Sequence, residues 1–597
     1  MSAPDHPIRA DRAEGSHREL LDLALSRPEE CRRRALSLLE RQDTLSAPSV
    51  VWQALGLAER ESGHISIALR HLRRAARIAA ADEGRNRHAD VLASLATTLT
   101  LAGRSKDALI QLQTALGLAR GVTAARVAMR GAMIFWDLGR YEEALDTLRR
   151  CIPVFRRHGD HVWAARALMA RALVHTEVGA TRLADSDLGK ALDLFNLTGQ
   201  EAEAARAIHN RGWLRYRVGD LPGALHLLAR ASEQFAATSV DEPSVELDRC
   251  IVLLAAGLAS DALTQAQSAL DRKRSRAILG YYRGDVELVA AKAALAVGEG
   301  RRATHHAAAA RRVFKSQGRE RDALLSDLTE AQARWAVGDG DPRFCDHVGR
   351  LADDLRKIRS PETATANLFA GLAALQLGRI ELGRSLLRVA AMQRRRGPAL
   401  SRVTGWFAQT LHADAAGQPS VVLRSARAGL HVLDQHQLSL GATEMRAAAT
   451  AHGQDLAGLA LRHAKHHRSA RGLFVWSERL RATMLALPPI RPPNNLQLVA
   501  DLGKLRDVTH KLAEARRAGA STAPLERDRR RLEESVRSRA MQTPGEKGAG
   551  EQRFDVNRLL DSLGDRRLVS IVEVDGELTV LVAARGRVRK FSAPPVA

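Results

Sequence analysis

Ten glycines set the period of this chain. Gly63, Gly103, Gly139, Gly179, Gly219, Gly257, Gly298, Gly338, Gly378 and Gly417 stand 40, 36, 40, 40, 38, 41, 40, 40 and 39 residues apart. Five residues after most of them comes an alanine: Ala68, Ala108, Ala144, Ala184, Ala224, Ala262, Ala303. Seven further on comes another small residue: Ala75, Ala115, Cys151, Ala191, Ala231, Ala269, Ala310. Residues 124–151, AARVAMRGAMIFWDLGRYEEALDTLRRC, show the unit as helix, Leu-Gly-Arg turn, helix. Gly131, Ala132 and Ala144 stand where two helices must cross closely, which needs small side chains. One such hairpin cannot bury its own apolar face, so the unit makes sense only as a stack of neighbours.

Eleven residues before the first turn glycine, Trp52 is followed by Leu55 and Gly56. This W-x2-L-G spacing, with its later alanines, resembles the tetratricopeptide repeat, whose usual period is about 34 residues. The longer period here implies longer helices or links. HEAT-type helical pairs compete with this reading, but the Trp-Leu-Gly and Gly-x4-Ala beats favour the tetratricopeptide. The resemblance implies an all-α, tetratricopeptide-like helical-hairpin solenoid, wound as a right-handed superhelix. At 597 residues the chain exceeds what one core supports, a limit an array avoids.

The organisation expected along the chain is a disordered tail over 1–16, capping helices over 17–48 and an array of about ten to eleven repeats over 49–487. Pro488, Pro489, Pro492 and Pro493 then stop the last helix, 469–485. Residues 488–552 hold this break, a charged helical hairpin (494–517 and 524–539) and a flexible linker from 543. After a short helix at 554–563 the period changes from 3.6 to 2. Residues 568–574 and 577–583 alternate around Asp575-Gly576, a strong hairpin signal, and Arg585-Gly586 offers a second tight turn into 587–591. The prediction is a small C-terminal three-strand β-meander within 553–597.

The order of tail features resembles the CHAT family, caspase-like proteins associated with tetratricopeptide repeats. The residues concerned are Trp476–Arg481 (WSERLR), the Pro488–Pro493 break, Phe554–Leu560 and the L-V-x-x-V-x-x-D-G of Leu568–Gly576. That resemblance implies a cysteine protease with a His–Cys dyad located beyond the opening strands. No cysteine follows Cys345 and no histidine follows His510, so neither catalytic residue carries over, and the chain is expected not to be an enzyme. The strands, with little to pack on beyond 554–563, are expected to be poorly ordered or a site of self-association.

Lys and Arg exceed Asp and Glu by 91 − 68 = 23. Arginine dominates and is spread along the chain, a weaker nucleic-acid signal than one basic stripe. Basic runs at Arg394–Arg396 and Arg529–Arg531 lack any helix-turn-helix or phosphate-loop companion, which weighs against nucleic acid. Four scattered cysteines (Cys31, Cys151, Cys250, Cys345) without a C-x-x-C pair argue for a reducing compartment and read as packing residues. A polar start and apolar runs far short of the ~20 residues a span needs indicate no membrane. A cytoplasmic location is the expectation. His463, His466 and His467 could share a helix face, but Lys465 and Arg468 would repel a cation. No metal and no cofactor are expected.

The first helices carry an arginine ladder. Arg126, Arg166 and Arg206 recur in the triplet Ala-Ala-Arg, with Met129, Met133 and Trp136 in one repeat and His209, Trp213 and Tyr216 two repeats on. In tetratricopeptides the first helices line the concave groove, so the resemblance implies that these residues stack along it. Arginine beside aromatics is the composition of an interaction hot spot. Alternatively, arginine stems cover alanine-rich surfaces while pairing with nearby acids. On the first reading the groove takes a protein or peptide ligand of acidic character. Reversing all three charges would then move stability by less than ~0.5 kcal/mol, as exposed sites usually do.

The leading expectation is thus a protein-interaction scaffold, the sensor or regulatory arm of a CHAT-type protease whose catalytic part is absent. Alternatives are a subunit completing a protease with a partner chain, and a transcription- or nucleic-acid-associated regulator.

Overall fold

The computed structural model describes residues 20–592 except 26, 42–47, 63, 239–241, 272–278, 318, 339–341, 359, 361, 441, 467–468, 486–494, 519 and 545–554. The expectations for the 1–16 tail, Gly63, His467, the 488–493 proline break and most of the 543–552 linker lie outside these residues. Within them the chain is an all-α, tetratricopeptide-like solenoid of helical hairpins with a small antiparallel sheet at its C-terminal end. The hairpins run from Ser49–Glu61 with Ile65–Asp82 to Ala399–Ala415 with Pro419–Ser439. Ahead of them lie a short helix at 20–25 and Pro28–Arg41, and after them Gln454–His466 and Ala470–Leu485.

The described turn glycines of the period all take positive φ, from 63° at Gly417 to 85° at Gly219. A side chain resists that conformation, so glycine closes each first helix. At Gly103 a second constraint is added, because a Cβ there would lie 1.8 Å from the Gln317 carbonyl oxygen. Gly257 likewise abuts Ala448, whose Cβ would be 2.8 Å away. The solenoid therefore winds back against itself, and these two glycines permit the contact.

Between hairpins, Ala108, Ala144, Ala184, Ala224, Ala262 and Ala303 are fully buried. In four of the repeats an aromatic stands four positions after the second small residue. Phe155, Phe195, Phe235 and Phe314 follow Cys151, Ala191, Ala231 and Ala310, and all four are buried.

The charged hairpin, Leu496–Arg517 and Ala523–Met541, is tied down at one end. Met541 joins the core cluster that holds Leu440 and Met445, and Arg537 forms ion pairs with Asp261 at 2.8 Å and Glu444 at 2.5 Å. Within the hairpin, Asp501 accepts a hydrogen bond from Ser535 and pairs with Arg539 at 2.9 Å.

The strands β1 (Leu568–Val574), β2 (Glu577–Ala584) and β3 (Arg587–Ser592) form the meander in the order β1-β2-β3. Both tight turns begin with a positive-φ residue ahead of a positive-φ glycine, Asp575-Gly576 and Arg585-Gly586, as two-residue hairpins require. The expectation that these strands have little to pack on is corrected here. Val572, Val574, Leu581 and Ala583 share one core with Leu461, Leu473, Phe474 and Trp476 of the last helical hairpin and with Leu560 of Val556–Leu563. Lys465 and Arg481 donate to the β1 carbonyls of Val574 and Ile571, each at 3.1 Å. The covering layer comes from a hairpin about a hundred residues earlier, which no local pattern reveals. Alternation still leaves Val569, Ile571 and Phe591 exposed on the other face.

Candidate binding cavity

The inner wall of the N-terminal repeats lines a half-open cavity of about 1090 Å³. Its lining comes from the N-terminal helices and from the first helices of successive repeats. Leu57, Met129, Met133, Met169 and Leu173 are among its apolar residues, and charged side chains such as Arg126, Arg166 and Arg206 stand between them together with uncharged polar ones such as Gln53, Ser94 and Thr97. These first helices face inward because their alanines (Ala164, Ala165, Ala167, Ala204, Ala205, Ala207) are buried against neighbours. The longer residues between them are left to line the cavity.

Three charged corners can be distinguished. At the first, the Trp163 ring is surrounded by the guanidinium carbons of Arg130, Arg126 and Arg166, at 4.8, 5.3 and 5.3 Å from its centroid. Arg126 is ion-paired with Asp160, and Arg166 with Glu203 at 2.9 Å. At the second, one guanidinium meets three carboxylates: Arg206 stands 3.2 Å from Glu242, 3.3 Å from Glu61 and 3.8 Å from Glu203. Glu61 lies in the first hairpin and Arg206 in the fifth, so this contact ties two distant repeats across the cavity. At the third, Asp90 pairs with Arg130 at 2.8 Å and Arg87 at 3.2 Å, and accepts from Gln53 at 2.9 Å.

Two donors in this wall are buried without a partner among the described residues, Nε of Arg126 and Nη2 of Arg166. Arg166 as a whole is 7% exposed. A buried donor left unmade costs on the order of 1–3 kcal/mol.

The arginines hold their carboxylates ionised. Burial pushes Asp90 upward, but the Arg130 and Arg87 guanidiniums beside it outweigh that and hold it down to about 2. Burial likewise acts on Glu203 and Glu242, and is outweighed by Arg166 and Arg206 at the first and by Arg206 and the Ser244 hydroxyl at the second. All three folded-state values lie below the unfolded ones, so below about pH 4.5 the unfolded chain binds more protons. The stability these pairs contribute is present at neutral pH and is lost as pH falls from about 4.5 toward 2. Asp90 alone accounts for on the order of 2 kcal/mol. Urea midpoints measured at pH 6, 4 and 3 are expected to fall, and Asp90→Asn should lower the pH 6 value while flattening the slope.

Of the nine residues the sequence singled out, five line this cavity: Arg126, Met129, Met133, Arg166 and Arg206. The other four are not part of its lining. Trp136 packs in the core cluster with Phe155 and Cys151. His209 is bound to Asp248, Nε2 to Oδ2, at 2.8 Å. Trp213 and Tyr216 contact each other at 4.9 Å between ring centroids. The ladder arginines are mostly buried and paired, which corrects the picture of exposed charges. Their partners were missed, as were Trp163, Arg130 and Met169. The signal was present as an acid 34 to 37 residues after each arginine, Arg126 to Asp160, Arg166 to Glu203 and Arg206 to Glu242.

The four cysteines are buried. Burial pushes the Cys31 thiol up to about 12 and the Cys151 thiol to about 11, far from the thiolate a nucleophile needs. Their sulfurs face main-chain or amide oxygens where contacts are seen, as Cys31 does Leu20 and Cys345 does Ala370. His463 is bound to Asp414 at 2.6 Å. Among the described residues no group of three or more His, Cys, Asp or Glu could hold a metal ion, and no helix is long and apolar enough to cross a membrane.

No protein-family model and no curated protein matches this chain. Solved structures do match. A chain of the APC/C hetero-tetramer Cut9-Hcn1 is 12% identical, with 76% of this chain and 90% of that one covered and a TM-score of 0.38. The quorum sensor NprR from B. thuringiensis, in its apo form, is 13% identical over 64% of this chain and 98% of its own, TM-score 0.40. A tetratricopeptide repeat protein from Parabacteroides merdae is 17% identical over 50% and 99%, TM-score 0.31.

Proposed function

We propose that this chain is a protein-interaction scaffold whose N-terminal half takes a short linear segment of a partner into the cavity. The observation that carries this is the cavity itself: about 1090 Å³, walled by first helices of successive repeats, with buried guanidinium donors left unspent. That volume is at the upper end of small-ligand pockets, roughly 300–1,000 Å³. It suits a few residues of extended chain and not a folded domain. Met129, Met133 and Met169 give the apolar wall an adaptable surface.

The finer reading places the scaffold as the sensor or regulatory arm of a CHAT-type protease. It is supported by the order of the tail motifs, and by buried thiols that fit a non-catalytic chain.

The test is a peptide-display selection against the full chain, repeated on Met133→Trp, which sets a bulkier ring on the cavity wall and removes no charged side chain. Peptides enriched by the wild type are expected to be lost on that variant. Equal enrichment by both would show that recognition lies elsewhere.

A further inference from the structure

We infer that the helix Ile380–Ala390, with the turn Ala391–Arg395 that continues it, is a docking face for a partner protein's amphipathic helix with acidic flanks. None of its residues lines the cavity, so the inference is independent of the function read there.

Ile380–Ala390 is the second helix of its hairpin and packs on Thr363–Gln376. Leu387 enters the core beneath it, and Leu386 packs against the cluster of Phe344 and Val348. Leu382, Val389 and Met392 stay outside, at 45%, 42% and 71% exposure. With the exposed Ser385 between them they are spaced three, four and three residues apart, so they share one side of the helix. Met392 sits in the tighter 3₁₀ turn Ala391–Arg395. That turn lies so close to Ala399–Ala415 that a Cβ on Gly405 would meet the Arg394 main-chain nitrogen at 2.3 Å.

Single exposed apolar side chains are ordinary, but a run of them in register is not. The other repeats supply the comparison. Val389 and Met392 stand eleven and fourteen residues after the turn glycine Gly378, where other repeats have Lys190 and Asp193, Arg230 and Glu233, or Ser268 and Asp271. In no other repeat does either place hold Leu, Ile, Val, Met or Phe.

Charge decides the occupant. Arg379 and Arg384 are paired, with Asp346 at 3.0 Å and Glu381 at 2.8 Å. Arg394 donates to the Ala391 carbonyl and lies over the Trp406 ring. Arg388, Arg395 and Arg396 are exposed and have neither an ion pair nor a side-chain hydrogen bond among the described residues. A second copy laid antiparallel on the stripe would bring these guanidiniums toward one another, whereas acidic flanks would complement them. The stripe is one side chain wide and about 15 Å long. That suits about three turns of a helix set ridge into groove, while a bilayer takes up a broad apolar face.

The probe is a fluorescent peptide of three Glu-Leu-Ala-Ala-Leu-Glu-Ala heptads, titrated with the full chain at pH 7 and low salt beside the same peptide with Lys for Glu. The acidic peptide is expected to bind at least about tenfold more tightly than the basic one. Val389→Glu with Met392→Glu should remove that binding, and Leu197→Glu, which changes a leucine 72% exposed elsewhere on the array, should leave it unchanged. All the substituted positions are exposed, so melting midpoints should stay close to wild type. Arg388→Glu with Arg395→Glu should transfer the preference to the basic peptide. Equal affinity for both peptides, binding that survives Val389→Glu with Met392→Glu, or a preference that charge reversal does not move overturns the inference. So does the absence of binding at millimolar peptide. Co-sedimentation with phosphatidylserine vesicles in place of peptide binding, lost in the double variant, overturns it in favour of a bilayer. A dimer in sedimentation velocity that the same variant dissociates overturns it in favour of a second copy.

Discussion

Arg206→Glu is expected to unfold the N-terminal repeats. The substitution removes the guanidinium shared by Glu61, Glu203 and Glu242 and puts a fourth carboxylate in its place. Breaking one buried pair typically costs about 3–5 kcal/mol, and a whole domain is stable by only about 5–15 kcal/mol. The loss should reach both the first and the fifth hairpins, because Arg206 joins them. A matched control is Arg150→Glu, which reverses an arginine whose 2.8 Å pair with Asp146 is largely exposed, at 73% and 58%. Such pairs contribute little, so its melting midpoint should stay close to wild type. Thermal melting and hydrogen exchange across Ser49–Glu61 and Glu201–Arg217 check both variants. A midpoint for Arg206→Glu within a degree or two of the control would show that the pairs across the cavity do not hold the repeats together. The same logic reverses the sequence-based expectation for the triple Arg→Glu change, which treated these charges as exposed.

Removing the chain from residue 555 onward is expected to make the protein less soluble. The meander and Val556–Leu563 cover Leu473, Phe474 and Trp476 of Ala470–Leu485, all three of which are buried. Uncovering side chains of this size costs roughly 1.5–3 kcal/mol each and leaves a contiguous apolar patch, which promotes association. The truncated protein should bind hydrophobic dyes and sediment as aggregates. Amide protection in Ala470–Leu485 should fall, while that in the hairpins before Pro419–Ser439 is retained. A monomeric truncation with full protection in that helix would mean that the sheet is an appendage and not a cover.

These two outcomes mark the boundary between what is local in this chain and what is not. The 40-residue glycine period determined the array, because a positive-φ turn and a close helix crossing each demand a particular residue at a particular place. The hairpin turns at Asp575-Gly576 and Arg585-Gly586 were legible for the same reason. The Phe155, Phe195, Phe235 and Phe314 series is less regular, since Ala79, Ala119 and Lys273 stand at the same place in other repeats.

The cavity was half legible. In-phase arginines identify an inner face, but Arg126, Arg166 and Arg206 read the same whether they meet solvent or an acid. Only the stacking of the next repeat brings Asp160, Glu203 and Glu242 against them. Glu61 is further still, since its contact with Arg206 depends on how the solenoid curves over several repeats. Small rotations summed along an array set that curvature, and no single repeat encodes it. The cover of the meander is of the same kind. Alternation in β1 and β2 shows that one face wants burial, while the identity of what buries it, Leu473, Phe474 and Trp476, follows from where the chain arrives after the charged hairpin. Periodicity by itself determined which residues face inward; the tertiary structure decided what they meet there, because contacts between distant segments depend on the path of the whole chain.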